Sequence, residues 1–351
     1  MKTEAPARVA RLFAGLAARG RGTGAGLVFL SGGLAGGVDT VAERLSELRT
    51  RLPILVATGA GVLTERGEIE RESAAAMMFW QGGESELVIE GGGAADEIAN
   101  ALATRLGPLL RTGARTALVL LKPDGVGPRT LEPFQALSGS ESVFGGGCLS
   151  GLPVLGVQPN GGVERGDGAA LVIAGQGKPS IASSAACRLL MPPRSISETR
   201  GPMVMRIEGE RALDVLGAVA SRAENGPLIL TALFDEEDES GVHLVRPIQG
   251  VDPMLGGLLV SDEVRPGRRI AFAVRDAEAA RLGLEAETRR LEQSTAGAAP
   301  RFGVYMNCAG RGSALYASED VDTRIIRARF PNMPWVGMSS SFEIAPYQGR
   351  P

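Results

Sequence analysis

Gly26-Leu27-Val28-Phe29-Leu30-Ser31-Gly32-Gly33, answered by Leu52-Pro53-Ile54-Leu55-Val56-Ala57-Thr58-Gly59-Ala60-Gly61, is the stretch on which the fold turns. Each is a short apolar run that stops at small residues, the pattern of a buried strand ending in a glycine turn. Between them Thr40-Val41-Ala42-Glu43 has the spacing of a capping box. Val41, Leu45, Leu48 and Leu52 recur on one helical face, so a helix is expected until Pro53 stops it. The stretch is a βαβ unit.

Working outward, the carboxyl end repeats this order. Val304 to Asn307 reads as a strand and Gly310-Arg311-Gly312 as its turn. Val321-Asp322-Thr323 matches Val38-Asp39-Thr40 and opens a helix through Ile326, Met333-Pro334 matches Leu52-Pro53, and Trp335-Val336-Gly337 follows as strand and turn. A second echo lies 94 positions apart: Ile69-Glu70-Arg71 recurs as Val163-Glu164-Arg165, and Ala75-Ala76 as Ala169-Ala170. Each copy runs into an apolar strand, Met77 to Trp80 and Leu171 to Ala174, with a further strand at Ala117 to Leu121 and a glycine turn at Gly145-Gly146-Gly147. Before the first unit, Val9, Leu12, Phe13 and Leu16 recur at helical spacing. Arginines interrupt this segment, which is a poor signal peptide.

Met191-Pro192-Pro193 and Gly201-Pro202 read as a linker. Beyond it strands are expected at Met203 to Ile207, Leu228 to Leu233, His243 to Pro247 and Arg269 to Val274, with helices at Leu213 to Ala220 and Ala277 to Leu291. The fold class expected is α/β (mixed α+β), with repeated strand-loop-helix-strand units forming mixed sheets covered by helices. The divisions expected are an amphipathic helix over 1–22, a first domain over 23–200 and a second over 201–351.

Composition narrows the function. At 351 residues the chain has length for about two domains. A net charge of -3 argues against a nucleic-acid surface, and no apolar stretch is long enough for a membrane span. A single histidine, His243, excludes HExxH and paired-histidine metal chemistry. Cys148, Cys187 and Cys308 are too scattered for a CxxC site and suit a reducing cytoplasm. Gly59-Ala60-Gly61 runs into Val62-Leu63-Thr64 without the third small residue of a dinucleotide fingerprint, and Gly177-Lys178 is followed by Pro179, so neither binds nucleotide. The acidic run 235–239 lacks an EF-hand glycine. No metal is expected.

The ordered set of motifs resembles the FIST family, a ligand-sensing domain pair (FIST N and FIST C) of bacterial signal-transduction proteins and eukaryotic F-box proteins. The amino half carries the resemblance in Leu27 to Gly33, Ile54 to Gly61, Gly67-Glu68-Ile69-Glu70, the Gly145-Gly146-Gly147 run and Gly162. The carboxyl half carries it in Gly209, Arg246 to Asp252, Gly267 with Arg275-Asp276, and Cys308 with Arg311-Gly312. Phe342-Glu343-Ile344-Ala345-Pro346 is similar to the family's closing Gly-Glu-Ile-x-Pro, with Phe342 in place of the glycine. The resemblance implies a cytoplasmic sensor, not an enzyme, that binds a small polar, amino-acid-like ligand and signals through a separate protein partner.

Arg311, held between two glycines, can offer a planar fork to a carboxylate, or can pair with Glu343 for structure alone. Glu68 and Glu343 follow equivalent turns and can face one cavity, where two acids could bind an amino group as counter-charges or do acid/base work, or the two can simply be solvated or salt-bridged to cations. The ligand-binding set expected is Arg311, Gly312, Cys308, Glu343, Glu68, Gly59, Gly61 and Gly146. Three rival readings stand beside it: a thiol enzyme using Cys308, a haem-binding gas sensor using His243, and a scaffold with a closed pocket. No cofactor is expected: aromatics are 4%, and His243 follows five consecutive acids that would repel haem propionates.

Overall fold

The computed structural model describes residues 4–17, 23–111, 115–137, 142–159, 161–177, 179–221, 228–234, 244–295 and 299–346. His243 and the acidic run 235–239 lie outside the described residues. By spatial contact the chain divides into an α/β unit, 1–183 with 285–351, and a unit of 184–284.

The α/β unit is built from one motif used three times. Repeat 1 runs α1 (Glu4–Ala17), β1 (Gly24–Ser31), α2 (Gly32–Ala35), α3 (Val38–Ser46), β2 (Ile54–Thr58), the hairpin β3 (Gly61–Thr64) and β4 (Gly67–Glu70), then β5 (Ala74–Gln81). After β6 (Ser85–Glu90), repeat 2 runs α4 (Ala95–Leu110), β7 (Arg115–Leu121), a 3-10 turn (Pro128–Leu131), α5 (Glu132–Gln135), β8 (Val143–Gly147), the hairpin β9 (Val154–Val157) and β10 (Val163–Gly166), then β11 (Gly168–Ala174).

The unit of 184–284 comes next. It holds β12 (Cys187–Leu189), β13 (Arg194–Arg200), β14 (Met203–Ile207), β15 (Glu210–Arg211), α6 (Ala212–Ala220), β16 (Ile229–Phe234), β17 (Leu244–Asp252), β18 (Gly257–Val260) and β19 (Arg269–Arg275). Strands β19, β13, β14, β18, β17 and β16 pair in that order, and β16 pairs back to β19, closing a barrel. Closure removes the sheet edges on which strands aggregate. Ile196, Val204, Leu258 and Phe272 are buried in its core with Val215 of α6. Helix α7 (Ala277–Ser294) then leads into repeat 3: β20 (Gly303–Cys308), α8 (Ser313–Tyr316), α9 (Val321–Arg329), β21 (Trp335–Ser340) and β22 (Glu343–Ile344).

In every repeat the first two long strands are parallel neighbours: β1 with β2, β7 with β8, β20 with β21. Each repeat then lends its next strand to another. β3 pairs with β21, β9 with β2, and β22 with β8, all antiparallel. The exchange is cyclic, so repeat 1 builds onto repeat 3, repeat 2 onto repeat 1, and repeat 3 onto repeat 2. The inner faces of the three sheets share one core that includes Leu27, Phe29, Leu55, Leu118, Leu120, Val336 and Met338. The outer faces of the first two sheets carry their own helices, α1 and α3 over one and α4 and α5 over the other.

Several expectations change. Helix α3 begins at Val38 with Gly37 in the cap position, so Thr40 lies inside the first turn and makes no capping box. It ends at Ser46, short of Pro53. Leu12 of α1 faces solvent, and the buried stripe is Val9, Ala10 and Phe13. The run Gly145-Gly146-Gly147 is strand β8, not a turn: a Cβ on Gly145 would stand 1.7 Å from the Val119 carbonyl oxygen, so only glycine allows this pairing distance. The expected linker from 191 to 202 is mostly the hairpin β13–β14, with Gly201 at φ 58° in its tip.

Candidate functional site

Strand alternation places residues i and i+2 on one face. On the outer face of β1 stand Val28 and Leu30, and on that of β7 Val119 and Leu121, all in the apolar layers beneath the helices. Register makes Leu30, Leu121 and Asn307 equivalent, because they pair with Thr58, Gly147 and Ser339. The backbone confirms the equivalence. The amide two residues beyond each partner donates to the strand-end carbonyl of another repeat: Leu149 to Thr58 at 3.1 Å, Ser341 to Gly147 at 3.0 Å and Ala60 to Ser339 at 2.9 Å. The outer face of repeat 3 therefore carries Tyr305 and Asn307 where the other repeats carry valine and leucine. Asn307 is 4% exposed, and among the described residues its amide oxygen has no hydrogen-bond partner. A buried acceptor in that state is costly unless something fills it.

Tyr305, on the same strand face as Asn307, belongs to a polar cluster that is fixed in place. The turn after β20 closes with Arg311 N–H donating to Cys308 O at 2.8 Å, and Gly312 follows at φ 78° and ψ -149°, which favours glycine. This drives the Arg311 side chain inward to 5% exposure, where its Nε–H donates to Asp322 Oδ2 at 2.6 Å. Asp322 is fully buried and accepts two more donors, Tyr305 Oη at 2.8 Å and Tyr316 Oη at 2.7 Å. Arg311 also lies over the Tyr316 ring, 5.8 Å from its centroid. Burial and the Asp322 charge push both tyrosine hydroxyls up, so they stay protonated as donors. Burial opposes the guanidinium charge of Arg311, yet the group is held above its ordinary range and stays protonated, with the Asp322 carboxylate as the anion beside it.

The other expected residues surround this cluster. Glu68, on β4, accepts from the Thr323 amide at 3.0 Å and its hydroxyl at 3.1 Å, and so caps the first turn of α9 from another repeat. Burial raises its carboxyl above the usual range, against the lowering effect of the Thr323 bonds. Its neighbour Glu70 accepts from Ser313 N and Oγ, both at 2.8 Å, and a Cβ on Gly312 would meet this carboxylate at 2.2 Å. Glu343 is exposed and accepts from Ser340 Oγ at 3.0 Å. Cys308 is half-buried at the end of β20, in register with Ser340. Cys148, by contrast, is buried and its thiol is pushed up to about 12, which makes it inert.

Gly59, Gly61 and Gly146 let the strand ends of different repeats approach. A Cβ on Gly59 would meet Ser339 O at 2.9 Å, one on Gly61 Ser339 Oγ at 3.1 Å, and one on Gly146 Phe342 O at 2.6 Å. Phe342, the departure from the family pattern, lays its ring against the bare Cα of Gly147. The expected residues are thus joined in one neighbourhood by contacts through Asp322–Thr323–Glu68 on one side and Ser339–Ser340–Glu343 on the other. Asp322, Tyr305, Tyr316 and Asn307 were missed. Asp322 had a signal, its echo of Asp39, but Asp39 is an exposed partner of Arg165 while Asp322 is buried, a difference no spacing reveals. Among the described residues no group of His, Cys, Asp and Glu is placed to hold a metal, and no helix is long and apolar enough to cross a membrane.

Comparison with known proteins gives two family matches, the FIST N domain over residues 24–210 and the FIST C domain over 210–346. Uncharacterized protein MT0656 of Mycobacterium tuberculosis (strain CDC 1551 / Oshkosh) is 27% identical over 225 residues, 58% of each chain. Uncharacterized protein Mb0898c of Mycobacterium bovis is 32% identical over 114 residues, 31% of this chain and 28% of that protein. The match spans little more than half the length of the first of these relatives and less than a third of the second.

Proposed function

Because the chain belongs to the FIST family, joining a FIST N to a FIST C domain, we propose that it is a small-ligand-binding sensory module that signals through a separate protein partner. FIST domains are associated with sensing and signal transduction. In this reading the chain is not an enzyme, works in the cytoplasm, and takes a polar, amino-acid-like ligand at the strand ends of repeat 3. The observation that carries it is Asn307: two repeats fill the equivalent position with buried leucine, and in the third, among the described residues, a buried amide oxygen is left unsatisfied on the strand face that also carries Tyr305, a donor to the Asp322 that holds Arg311. Pre-set polar groups of this kind, at the carboxyl ends of parallel strands, are what a small-molecule site needs. Arg311 would meet an anionic group, with Glu343 at the rim as counter-charge and Cys308 and the glycine turns as the floor.

The test is a thermal-shift screen of the full chain against amino acids and small carboxylates. A stabilising ligand is expected, and Arg311→Lys should weaken its binding because the planar fork is lost while the charge is kept. Failure of every compound to shift the melt, or an undiminished shift with Arg311→Lys, contradicts the reading.

A further inference from the structure

The second repeat has a cavity at the place that Asn307 and the Arg311 turn occupy in the third. It measures about 130 Å³ and opens beyond the carboxyl end of β7, between that strand's turn and the start of α4. Leu121, the equivalent of Asn307, lies in its wall with Ile98 and Val126, and Gly93, Ala95, Lys122, Asp124 and Asp167 complete the lining. We propose that this cavity is a second small-molecule pocket, distinct from the site in repeat 3, and that it takes a small organic cation: an ammonium group on a short apolar body.

Size comes from the volume, which approaches the roughly 150 Å³ that holds a benzene-sized molecule. The apolar body is set by Ile98 and Leu121, both buried members of the repeat 2 core, with Val126 packed against them. Sign comes from the charges. Lys122 Nζ is already held by Asp167 Oδ1 at 2.8 Å, and Asp167 Oδ2 accepts the Gly92 amide at 3.0 Å. Asp124 is different. It accepts from Ser150 Oγ at 2.5 Å and from the Gly151 amide at 3.4 Å, and among the described residues it has no ion-pair partner. These hydrogen bonds hold its carboxyl below the ordinary range, so it is ionised at neutral pH.

The start of α4 would ordinarily favour an anion. Its first turn, however, carries Asp96 and Glu97, and these side chains already accept from Thr130 Oγ1 and from the Ala94 amide. Two carboxylates therefore stand at the first turn and weigh against a further anion there. The lining sets one cation, Lys122, which Asp167 holds, against the carboxylates of Asp167 and Asp124, so it carries a net negative charge on the side of Asp124.

The full chain is titrated with n-butylammonium, butyrate and 1-butanol, with binding read by ligand-observed NMR. Butylammonium should bind saturably and at least about ten-fold more tightly than the other two. Asp124→Asn, an exposed position whose change leaves the fold intact, should weaken it by about ten-fold. Asn307→Leu should leave it unchanged, which separates this pocket from the site in repeat 3. No saturable binding, butyrate binding as tightly, indifference to Asp124→Asn, or loss with Asn307→Leu each overturns the proposal.

Discussion

Asp322 holds three donors at once, which makes it the residue on which repeat 3 depends. Asp322→Ala should cost about 3–5 kcal/mol in chemical denaturation, because it strands a buried guanidinium without its counter-ion. Tyr316→Phe removes one hydrogen bond to a charged acceptor and should cost about 1.5–3 kcal/mol. Glu68 gives a pH signature. Its carboxyl is raised in the fold by burial, so the folded state favours the protonated acid, and stability it contributes below the unfolded value of 4.5 is lost as pH rises through the raised value. Glu68→Gln keeps an oxygen acceptor for Thr323 without the charge. It should therefore be more stable than the parent at neutral pH, and the difference should vanish below pH 4.5 when urea midpoints are compared. A difference that widens in acid contradicts this account.

At the scale of elements, two of the three parallel pairs were legible and the exchange between repeats was not. Apolar runs that end in small residues gave β1, β2, β20 and β21, and the echo of 69–71 at 163–165 led to β5 and β11, while β4 and β10, which hold Ile69-Glu70 and Val163-Glu164-Arg165 of that echo, were not read as strands. Nothing local says that Ile54 pairs with Val157 or Val62 with Met338, since those contacts join distant parts of the chain. The glycines were read as turns because turns are their commonest use, but Gly145 serves close approach between strands. Gly145→Ala should cost about 1–3 kcal/mol or more, since its Cβ would strike the Val119 backbone, while Gly162→Ala, which meets nothing nearer than 3.9 Å, should change stability by less than about 0.5 kcal/mol. Equal melting temperatures for the two variants would count against the packing described.

At the scale of the whole molecule, the barrel of 184–284 interrupts the three repeats in sequence but is a unit of its own. Its ends are adjacent: a Cβ on Gly283 would lie 2.5 Å from Ser184 Oγ. Excising 184–284 should leave a cooperatively melting α/β unit, whereas halves made by cutting at 210 should not fold, because β3 is then parted from β21 and β14 from β18. Circular dichroism melts of the three fragments decide between these outcomes. The central claim is that two repeats close their outer faces with leucine while the third keeps its face polar for a ligand. Asn307→Leu tests it most directly, because it gives repeat 3 the residue of the other two and removes an unsatisfied buried acceptor. Calorimetric titration of the parent and variant with a ligand from the screen should show binding lost in a variant whose ligand-free melting temperature is unchanged or raised. Undiminished binding in that variant would contradict the account.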